Sequence, residues 1–216
     1  EAVEQVRRLR DHPSIVLWCG NNEVQTGWEA WPDRKALRQS LAPDEVARIE
    51  NGMKTLFGET LRSVVRENAP DVPYWASSPS TDYEGAANQL TDGDYHSWSV
   101  WSGSKPIENY LGETPRFQSE YGLQSFPVMA TVRAFTEERD LEPNSPVMRA
   151  HQKFANGDGN DRLLLYIRKY YGEPKDFESF VYLSQVMQAE GIELAAEHLR
   201  SVRPQAMGSL YWQLND

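Results

Sequence analysis

Several features that define common protein classes are missing from this sequence. Cys19 is the only cysteine among the 216 residues, so no disulfide can form within the chain, and its place in an apolar run predicts a buried, unreactive thiol. No run of about 18 apolar residues occurs, and the sequence therefore predicts no membrane-spanning helix. Lysine and arginine number 22 against 32 acidic residues, a net charge of −10. This balance argues against nucleic acid as a partner, because binding to a phosphate backbone requires clustered positive charge.

Aromatic residues, by contrast, are abundant. Seven tryptophans and ten tyrosines are more than an ordinary core requires, and their flat faces suit a ligand whose rings can stack on them. Hydrophobic residues make up 39% of the chain, which is enough for one ordinary core. For any single tryptophan, core packing and ligand binding are equally open at this point.

The order of predicted elements indicates an α/β fold. Segments rich in β-branched and aromatic residues are predicted as strands at 14–19, 72–76, 95–100, 116–120 and 208–214. Helical periodicity predicts a helix that ends near residue 10 and further helices over 43–68, 127–138, 145–154, 160–171 and 176–200. Because helices separate the strands and hairpin signals are absent, we expect parallel strands. An open doubly wound sheet and part of a (β/α)8 TIM barrel both fit this order, and the polar strand ends favour the barrel.

Two glutamates stand at the ends of two of these predicted strands. Glu23 closes the apolar run that begins at Ser14, and Glu120 lies at the end of the run that begins at Arg116. Barrel enzymes carry their chemistry at the carboxyl ends of parallel strands. Two carboxylates on different strands indicate glycoside hydrolysis, which needs a proton donor and a second carboxylate beside the scissile bond. With 32 acidic residues in the chain, however, most pairs of acids are structural, and strand position alone leaves the assignment open.

The neighbours of the two glutamates fit the same chemistry. The amide of Asn22 is placed to hold the sugar hydroxyl next to the anomeric centre, where hydrogen bonds strengthen in the transition state. Ser119 and Tyr121 flank Glu120 and are candidates for orienting its carboxylate.

Four patterns in the sequence match a known enzyme family. The first is 10–23, RDHPSIVLWCGNNE, and the second is 115–127, PRFQSEYGLQSFP. The third is 208–216, GSLYWQLND. The fourth comprises His96, Trp98, Val100, Trp101 and Gly103. In this order they resemble the acid/base strand, the nucleophile strand, the final barrel strand and a further segment of glycoside hydrolase family 2. The doubled asparagine before the first glutamate is similar to the β-mannosidase branch, and the resemblance covers nearly the whole chain.

This resemblance implies a fold and a mechanism. The family has a (β/α)8 barrel preceded by β-sandwich domains, so residues 1–216 would form a partial catalytic barrel covering about strands 4 to 8. Barrel strands 1 to 3 and the β-sandwich domains would belong to the remainder of the parent chain. Because the family retains the anomeric configuration, Glu120 at the end of strand 7 would be the nucleophile. Glu23 at the end of strand 4 would be the acid and then the base.

The implied substrate is a terminal β-D-mannosyl residue at the non-reducing end of manno-oligosaccharides or glycans, as in mannan degradation. No metal and no organic cofactor is expected. The resemblance favours a periplasmic, secreted or lysosomal setting, whereas the sequence itself contains no recognisable targeting segment.

Three tryptophans are implied to bind substrate. Trp212, on the last predicted strand, would form a stacking floor for the mannose. Trp28 and Trp31 follow Glu23 in a predicted loop and would line a leaving-group subsite, although core packing explains either one equally well.

The third predicted strand adds two more candidates. His96 and Trp98 are two residues apart, so their side chains lie on the same face of this strand. One of them is expected to reach the site. The family usually places a tyrosine near its nucleophile, and Tyr95 and Tyr121 compete for that role here.

Two other functions remain open. Another family 2 β-glycosidase, such as a β-glucosaminidase or a β-galactosidase, would share both glutamates, although the doubled asparagine argues against it. A mannose-binding module with a defunct catalytic site would share the aromatic residues, although the presence of both glutamates argues against it. Comparing the turnover of aryl β-mannosides and aryl β-galactosides would test the first alternative. Tight mannose binding with slow turnover would indicate the second.

Overall fold

The structure is a computed structural model that describes residues 1–214. The chain divides into two compact units. Unit 1 comprises Glu1–His96, Thr114–Ser119 and Pro204–Ser209, and unit 2 comprises Ser97–Glu113, Glu120–Arg203 and the segment that begins at Leu210. Of the two candidate catalytic residues, Glu23 therefore belongs to unit 1 and Glu120 to unit 2.

Unit 1 contains five α-helices and a small apolar core. The helices are α1 (Ala2–Leu9), α2 (Val24–Ala30), α3 (Pro32–Ser40), α4 (Pro43–Met53) and α5 (Leu61–Asn68), and the π-helical segment Lys54–Thr60 joins α4 to α5. Helix α1 packs against α5, where Val6, Val65 and Ala69 are buried together. Because the apolar residues of each helix recur at helical spacing, each helix presents one apolar stripe to the other.

The long helix predicted over 43–68 is confirmed as α4, the π-helical segment and α5. Pro43 occupies the first turn, where its missing N–H would have no partner within the helix. The N–H of Ala42 donates a 3.1 Å hydrogen bond to Glu45 Oε2, which closes the start of the helix. These features lie within the segment itself, so the sequence alone was enough to predict where this helix begins.

The prediction of a loop around residues 27–32 was wrong, because this region contains most of α2 and the start of α3. Gly27 is accommodated inside α2, where a β-carbon would lie only 3.3 Å from the ring of Trp31. Pro32 begins α3 at a position that tolerates proline. Residues that usually interrupt helices therefore occur here at helix positions that accept them.

A parallel pair of strands leads to the candidate site in unit 1. Strand β1 (Trp18–Cys19) pairs with β2 (Tyr74–Trp75) in parallel, which confirms the predicted strand direction for this pair. The register is Trp18 with Tyr74 and Cys19 with Trp75. Backbone hydrogen bonds continue the pairing as far as Glu23, whose N–H donates to the carbonyl of Ser78 at 2.7 Å.

The first predicted strand, 14–19, is shorter than expected. Among the described residues no strand lies beside 14–17, and Val16 and Leu17 are exposed. Cys19 is also exposed, so the prediction of a buried thiol was wrong. Partial desolvation nevertheless raises the pKa of the Cys19 thiol. Gly20 follows at a position where a β-carbon would overlap the carbonyl oxygen of Ala76.

Unit 1 also contains the beginning of a second two-stranded sheet, in which β3 (Tyr95–Ser97) pairs with β4 (Gln118–Tyr121). The first N–H of β3 donates to the carbonyl of Phe117 at 2.9 Å. Gln118 forms an isolated parallel bridge with Ser209. β3, β4 and the segment around Ser209 are therefore neighbours in space in the same order as in the sequence. This order is typical of strands joined by crossover helices.

The predicted strands extend beyond the observed ones. The segments 95–100 and 116–120 contain β3 and most of β4. The segment 208–214 forms no strand among the described residues, and it is joined to β4 by an isolated bridge at Ser209 and by backbone hydrogen bonds at Gly208 and Trp212. Residues 215–216, the end of the motif that resembles a final barrel strand, lie outside the described residues. Apolar runs predict where a strand is possible, but pairing also requires a neighbour that can accept its hydrogen bonds.

Unit 2 is mainly helical and confirms the four helices predicted after residue 127. They are α6 (Met129–Ala134), α7 (Pro146–His151), α8 (Gly159–Tyr171) and α9 (Phe177–Ser201), with 3-10 helices at Ile107–Gly112, Glu138–Asp140 and Phe154–Gly157. The largest buried side chains include Tyr110, Tyr121, Tyr166, Phe180, Leu163 and Met187. In α9, Gly191 permits close packing, because a β-carbon there would overlap the side chain of Leu123. Among the described residues no helix is long and apolar enough to cross a membrane.

Candidate active site

Glu23 has an unusual backbone conformation between the β1 pairing and α2. Its φ of +58° lies in the left-handed region, which costs a residue with a side chain about 1–3 kcal/mol. Hydrogen bonds hold this conformation on both sides. The N–H of Glu23 donates to the carbonyl of Ser78 at 2.7 Å, and its own carbonyl accepts from the N–H of Gly27 at 2.8 Å. The surrounding structure therefore determines the direction in which the Glu23 side chain leaves the backbone.

The two asparagines before Glu23 differ in their surroundings. Asn21 is structural: its Nδ2 donates to the carbonyl of Ala76 at 3.1 Å, and its Oδ1 accepts from the N–H of Val24, the first residue of α2, at 3.1 Å. The side chain of Asn22 is exposed, and its contact with a sugar stays a prediction. Sequence analysis missed the structural role of Asn21.

The carboxylate of Glu23 contacts His96. Glu23 Oε1 lies 2.9 Å from His96 Nδ1, and only 2% of the His96 side chain is exposed. The backbone of His96 is held by the side chain of Asn88, with its N–H donating to Oδ1 at 2.7 Å and its carbonyl accepting from Nδ2 at 3.2 Å. Two predicted site residues thus come together, and Glu23 is one of the observed partners of His96. A contact between His96 and substrate stays a prediction.

The other ring nitrogen of His96 begins a chain of hydrogen bonds within unit 1. Its Nε2 lies 3.0 Å from Ser78 Oγ, which donates to Asp94 Oδ2 at 2.5 Å. Asp94 is 8% exposed. Its carboxylate accepts three further hydrogen bonds, from Trp75 Nε1 at 3.0 Å, Ser80 N–H at 2.8 Å and Ser119 Oγ at 2.6 Å. The burial of this charge is therefore compensated by four donors.

Sequence analysis missed both Asp94 and Ser78. One signal for Asp94 exists, because residues two apart in an extended segment share a face, and Asp94 lies two residues before His96. Ser78 has no comparable signal. It lies in a turn-rich stretch after β2, and only the tertiary structure brings it to the imidazole.

In unit 2, Glu120 lies within the regular strand β4. The indole Nε1–H of Trp98 donates to Glu120 Oε2 at 3.1 Å. A donor of this kind stabilises the negative charge of a carboxylate. The structure thus brings the predicted residue Trp98 to the predicted nucleophile.

Tyr121 follows Glu120 and projects to the other face of β4, as strand geometry requires. Its ring is buried and packs edge-on against Tyr110, with 5.8 Å between the ring centroids. Burial raises the pKa of Tyr110 well above its ordinary value. Tyr121 therefore contributes to the core of unit 2, and its contact with substrate stays a prediction.

Trp212 is attached to β4 through its backbone, since its N–H donates to the carbonyl of Tyr121 at 2.7 Å. Gly122 permits this approach, because a β-carbon there would overlap the carbonyl oxygen of Trp212. The peptide bond between Trp212 and Gln213 is cis. The Trp212 residue is 53% exposed, and its stacking on sugar stays a prediction.

Trp28 and Trp31 belong to α2 and its C-terminal end. Trp28 is buried, and its Nε1 donates to Glu50 Oε1 at 3.0 Å, which fits the packing interpretation. Trp31 is 44% exposed. Of the two, Trp31 therefore has the larger surface for a ligand, and substrate binding by either stays a prediction.

Glycoside hydrolases generally use two carboxylates that flank the scissile bond, and Glu23 and Glu120 are the candidates for these groups. No protein-family model matches the chain. Curated relatives do match it: β-mannosidase B from Aspergillus clavatus is 37% identical over 231 residues, and β-mannosidase B from Aspergillus niger is 36% identical over 229 residues. Each match covers 100% of this chain and 26% of the relative.

A solved structure is similar as well. The β-D-mannosidase from Dictyoglomus thermophilum matches with a TM-score of 0.85 and 34% identity, over 100% of this chain and 25% of that one. The chain thus spans about a quarter of the length of the curated relatives that it matches. It is related over its whole length to a segment of β-mannosidases, which confirms the resemblance to that branch of glycoside hydrolase family 2.

Proposed function

We propose that this chain carries the two catalytic carboxylates of a retaining exo-β-mannosidase. The observation that carries the proposal is the match of the whole chain, at 36–37% identity, to proteins named β-mannosidase. The surroundings of the two glutamates add support. Glu23 has a partner that can exchange a proton, and Glu120 has a partner that only donates.

The proposal extends to the fold. Residues 1–216 would supply about strands 4 to 8 of a (β/α)8 barrel, with Glu23 at the end of strand 4 and Glu120 at the end of strand 7. The parallel pairing of β1 with β2 and the parallel bridge between Gln118 and Ser209 support this arrangement. Barrel strands 1 to 3 and β-sandwich domains would come from the remainder of the parent chain, in keeping with a match to about a quarter of each relative.

In the first step of the proposed reaction, the carboxylate of Glu120 attacks the anomeric carbon of a terminal β-D-mannosyl residue. The bond to the leaving oxygen breaks, and Glu23 gives its proton to that oxygen. The product is a mannosyl ester on Glu120. The Trp98 N–H remains on the carboxylate side of this ester and helps to place the attacking group.

In the second step, Glu23 acts as a base. It takes a proton from water, the water oxygen attacks the anomeric carbon, and the ester bond to Glu120 breaks. Two successive inversions leave mannose in the β configuration. No step in this sequence calls for a metal or an organic cofactor.

Hydrolysis by the full-length protein tests the substrate assignment. We expect kcat/KM for an aryl β-D-mannoside to exceed that for the matching β-D-galactoside and β-D-glucosaminide by about 100-fold or more, because a site built around one sugar leaves polar groups unpaired with another. A preference for either competitor would contradict the mannosidase assignment within the same family. Tight mannose binding without turnover would indicate a defunct site.

The stereochemistry of the product tests the mechanism. Proton NMR during hydrolysis should detect β-mannose first and α-mannose only later, by mutarotation. Initial release of α-mannose would mean a single displacement by water and would contradict the role of Glu120 as a nucleophile.

A further inference from the structure

Asp94 is a buried carboxylate that the proposed reaction does not use. It accepts hydrogen bonds from four groups: Trp75 Nε1, the backbone N–H of Ser80, Ser78 Oγ and Ser119 Oγ. The indole and the backbone amide can only donate, so Oδ1 of Asp94 is an acceptor. With two hydroxyl groups on Oδ2, the arrangement suits a carboxylate that accepts at every contact.

The hydrogen bond from Ser78 to Asp94 determines how Ser78 can bond to His96. A hydroxyl group has one proton, and the 2.5 Å contact with Asp94 uses it, because an ionised carboxylate cannot donate. The Ser119 hydroxyl, 3.4 Å away, is too distant to compete for this proton. The oxygen of Ser78 must therefore accept at its 3.0 Å contact with His96 Nε2, and that nitrogen carries a proton.

The consequence appears at the other ring nitrogen. With Nε2 protonated, the neutral imidazole of His96 presents Nδ1 as an acceptor, 2.9 Å from Glu23 Oε1. If both Nδ1 and Oε1 presented only lone pairs, the two atoms would repel each other and would not lie this close. One proton must therefore lie between these atoms, either on the carboxyl group or on Nδ1.

The geometry points to Asp94 and Ser78 as positioning residues that keep a proton on His96 Nε2, so that Glu23 and His96 share one exchangeable proton. This inference rests on the proposed function, in which Glu23 is the acid and then the base. During the first step the shared proton moves to the leaving oxygen. During the second step a proton from water returns to the pair.

The substitution Asp94→Asn keeps the shape of the side chain and reverses the direction of the hydrogen bonds that link residue 94, Ser78 and His96. The amide oxygen must occupy the Oδ1 position, because Trp75 and Ser80 donate there. The amide nitrogen then faces Ser78 and donates to it. Ser78 must in turn donate to Nε2, which moves the imidazole proton to Nδ1. There it favours an ionised Glu23, which cannot act as an acid.

The test uses the full-length protein and compares kcat/KM for a manno-oligosaccharide and for 2,4-dinitrophenyl β-D-mannoside. This parameter reports the first step, and only the oligosaccharide needs a proton on its leaving oxygen. For Asp94→Asn we expect a loss of about 100-fold with the oligosaccharide and less than about threefold with the aryl substrate, because general acid catalysis contributes about 10²–10⁴-fold. For Ser78→Ala we expect the same selectivity with a loss of about tenfold, and Ser78→Thr should restore most of the activity.

Ser119→Ala is the matched control, because it removes one donor to Asp94 and leaves the contact between Ser78 and Asp94 in place. It should change kcat/KM for both substrates by the same factor. If Asp94→Asn fails to fold, as judged by thermal unfolding, the comparison of Ser78→Ala with Ser78→Thr decides. Equal losses with both substrates in Asp94→Asn and Ser78→Ala, while Glu23→Gln retains the selective loss, would overturn the inference. A wild-type protein that hydrolyses no β-mannoside would instead overturn the proposed function.

Discussion

The two candidate catalytic glutamates are held in different ways. Glu23 leaves the backbone at a positive φ, and its carboxylate contacts a buried imidazole that is linked through Ser78 to Asp94. Glu120 lies in a regular strand, and its carboxylate accepts a hydrogen bond from the indole N–H of Trp98. A group that gives and takes protons benefits from a partner that can do the same. A nucleophile benefits from a partner that only donates, because such a partner stabilises its charge without competing for a proton.

Removal of the two carboxyl charges should separate these roles most clearly. Glu120→Gln should lower kcat by about 10⁵-fold with every substrate, because loss of the nucleophile removes the covalent step. Glu23→Gln should lower kcat/KM strongly for oligosaccharides and weakly for activated aryl mannosides, since only the former need the acid. Steady-state kinetics with both substrates measures the difference. Glu178→Gln, which removes an exposed carboxylate paired with Arg133, is a control that should retain activity.

The backbone support of Glu23 can be tested with its two asparagines. Asn21→Ala should lower the free energy of unfolding by about 1–3 kcal/mol, because it leaves the Val24 N–H without its amide acceptor and the Ala76 carbonyl without its amide donor. Asn22→Ala should change stability by less than about 0.5 kcal/mol, because its side chain is exposed. Urea unfolding measures both. Equal losses of stability in the two variants would contradict the conclusion that Asn21 is structural and the side chain of Asn22 is not.

The support of Glu120 can be tested at Trp98. Trp98→Phe retains an aromatic ring and removes the N–H that donates to Glu120. We expect kcat to fall by about 10–150-fold, since a hydrogen bond to a charged group contributes about 1.5–3 kcal/mol. The fall should be equal for oligosaccharide and aryl substrates, in contrast to Asp94→Asn. A loss confined to oligosaccharides would assign Trp98 to the acid side of the reaction.

The smallest expected effect compares one tyrosine in each unit at high pH. Burial raises the pKa of Tyr74 in unit 1 and of Tyr166 in unit 2 to about 12. Because an unfolded tyrosine titrates near pH 10, the folded state holds its proton longer. The stability that each group contributes is complete below about pH 10 and is lost as the pH rises towards about 12. Tyr74→Phe and Tyr166→Phe should each make the free energy of unfolding less dependent on pH in this range, as measured by urea unfolding at several pH values.

The outcome for the secondary structure shows which signals are local. The long helices α4, α5, α8 and α9 were predicted well, because helical periodicity and capping residues lie within each segment. Four of the five predicted strands overlap a shorter observed strand, whereas 208–214 contains only an isolated bridge at Ser209 among the described residues, since a strand exists only where a neighbour pairs with it. The α2 region was misread because Gly27 and Pro32 usually interrupt helices, and their acceptability depends on position and packing.

The sequence by itself predicted an α/β chain with parallel strands, and it made Glu23 and Glu120 candidates through the apolar runs before them and through the resemblance to glycoside hydrolase family 2. Only the tertiary structure decided that Glu23 contacts His96, 73 residues away in the chain, and that the imidazole is connected through Ser78 to Asp94. The physical reason is that hydrophobic pattern and turn chemistry are properties of neighbouring residues. A chain of hydrogen bonds depends instead on distances of about 3 Å between atoms that only folding brings together.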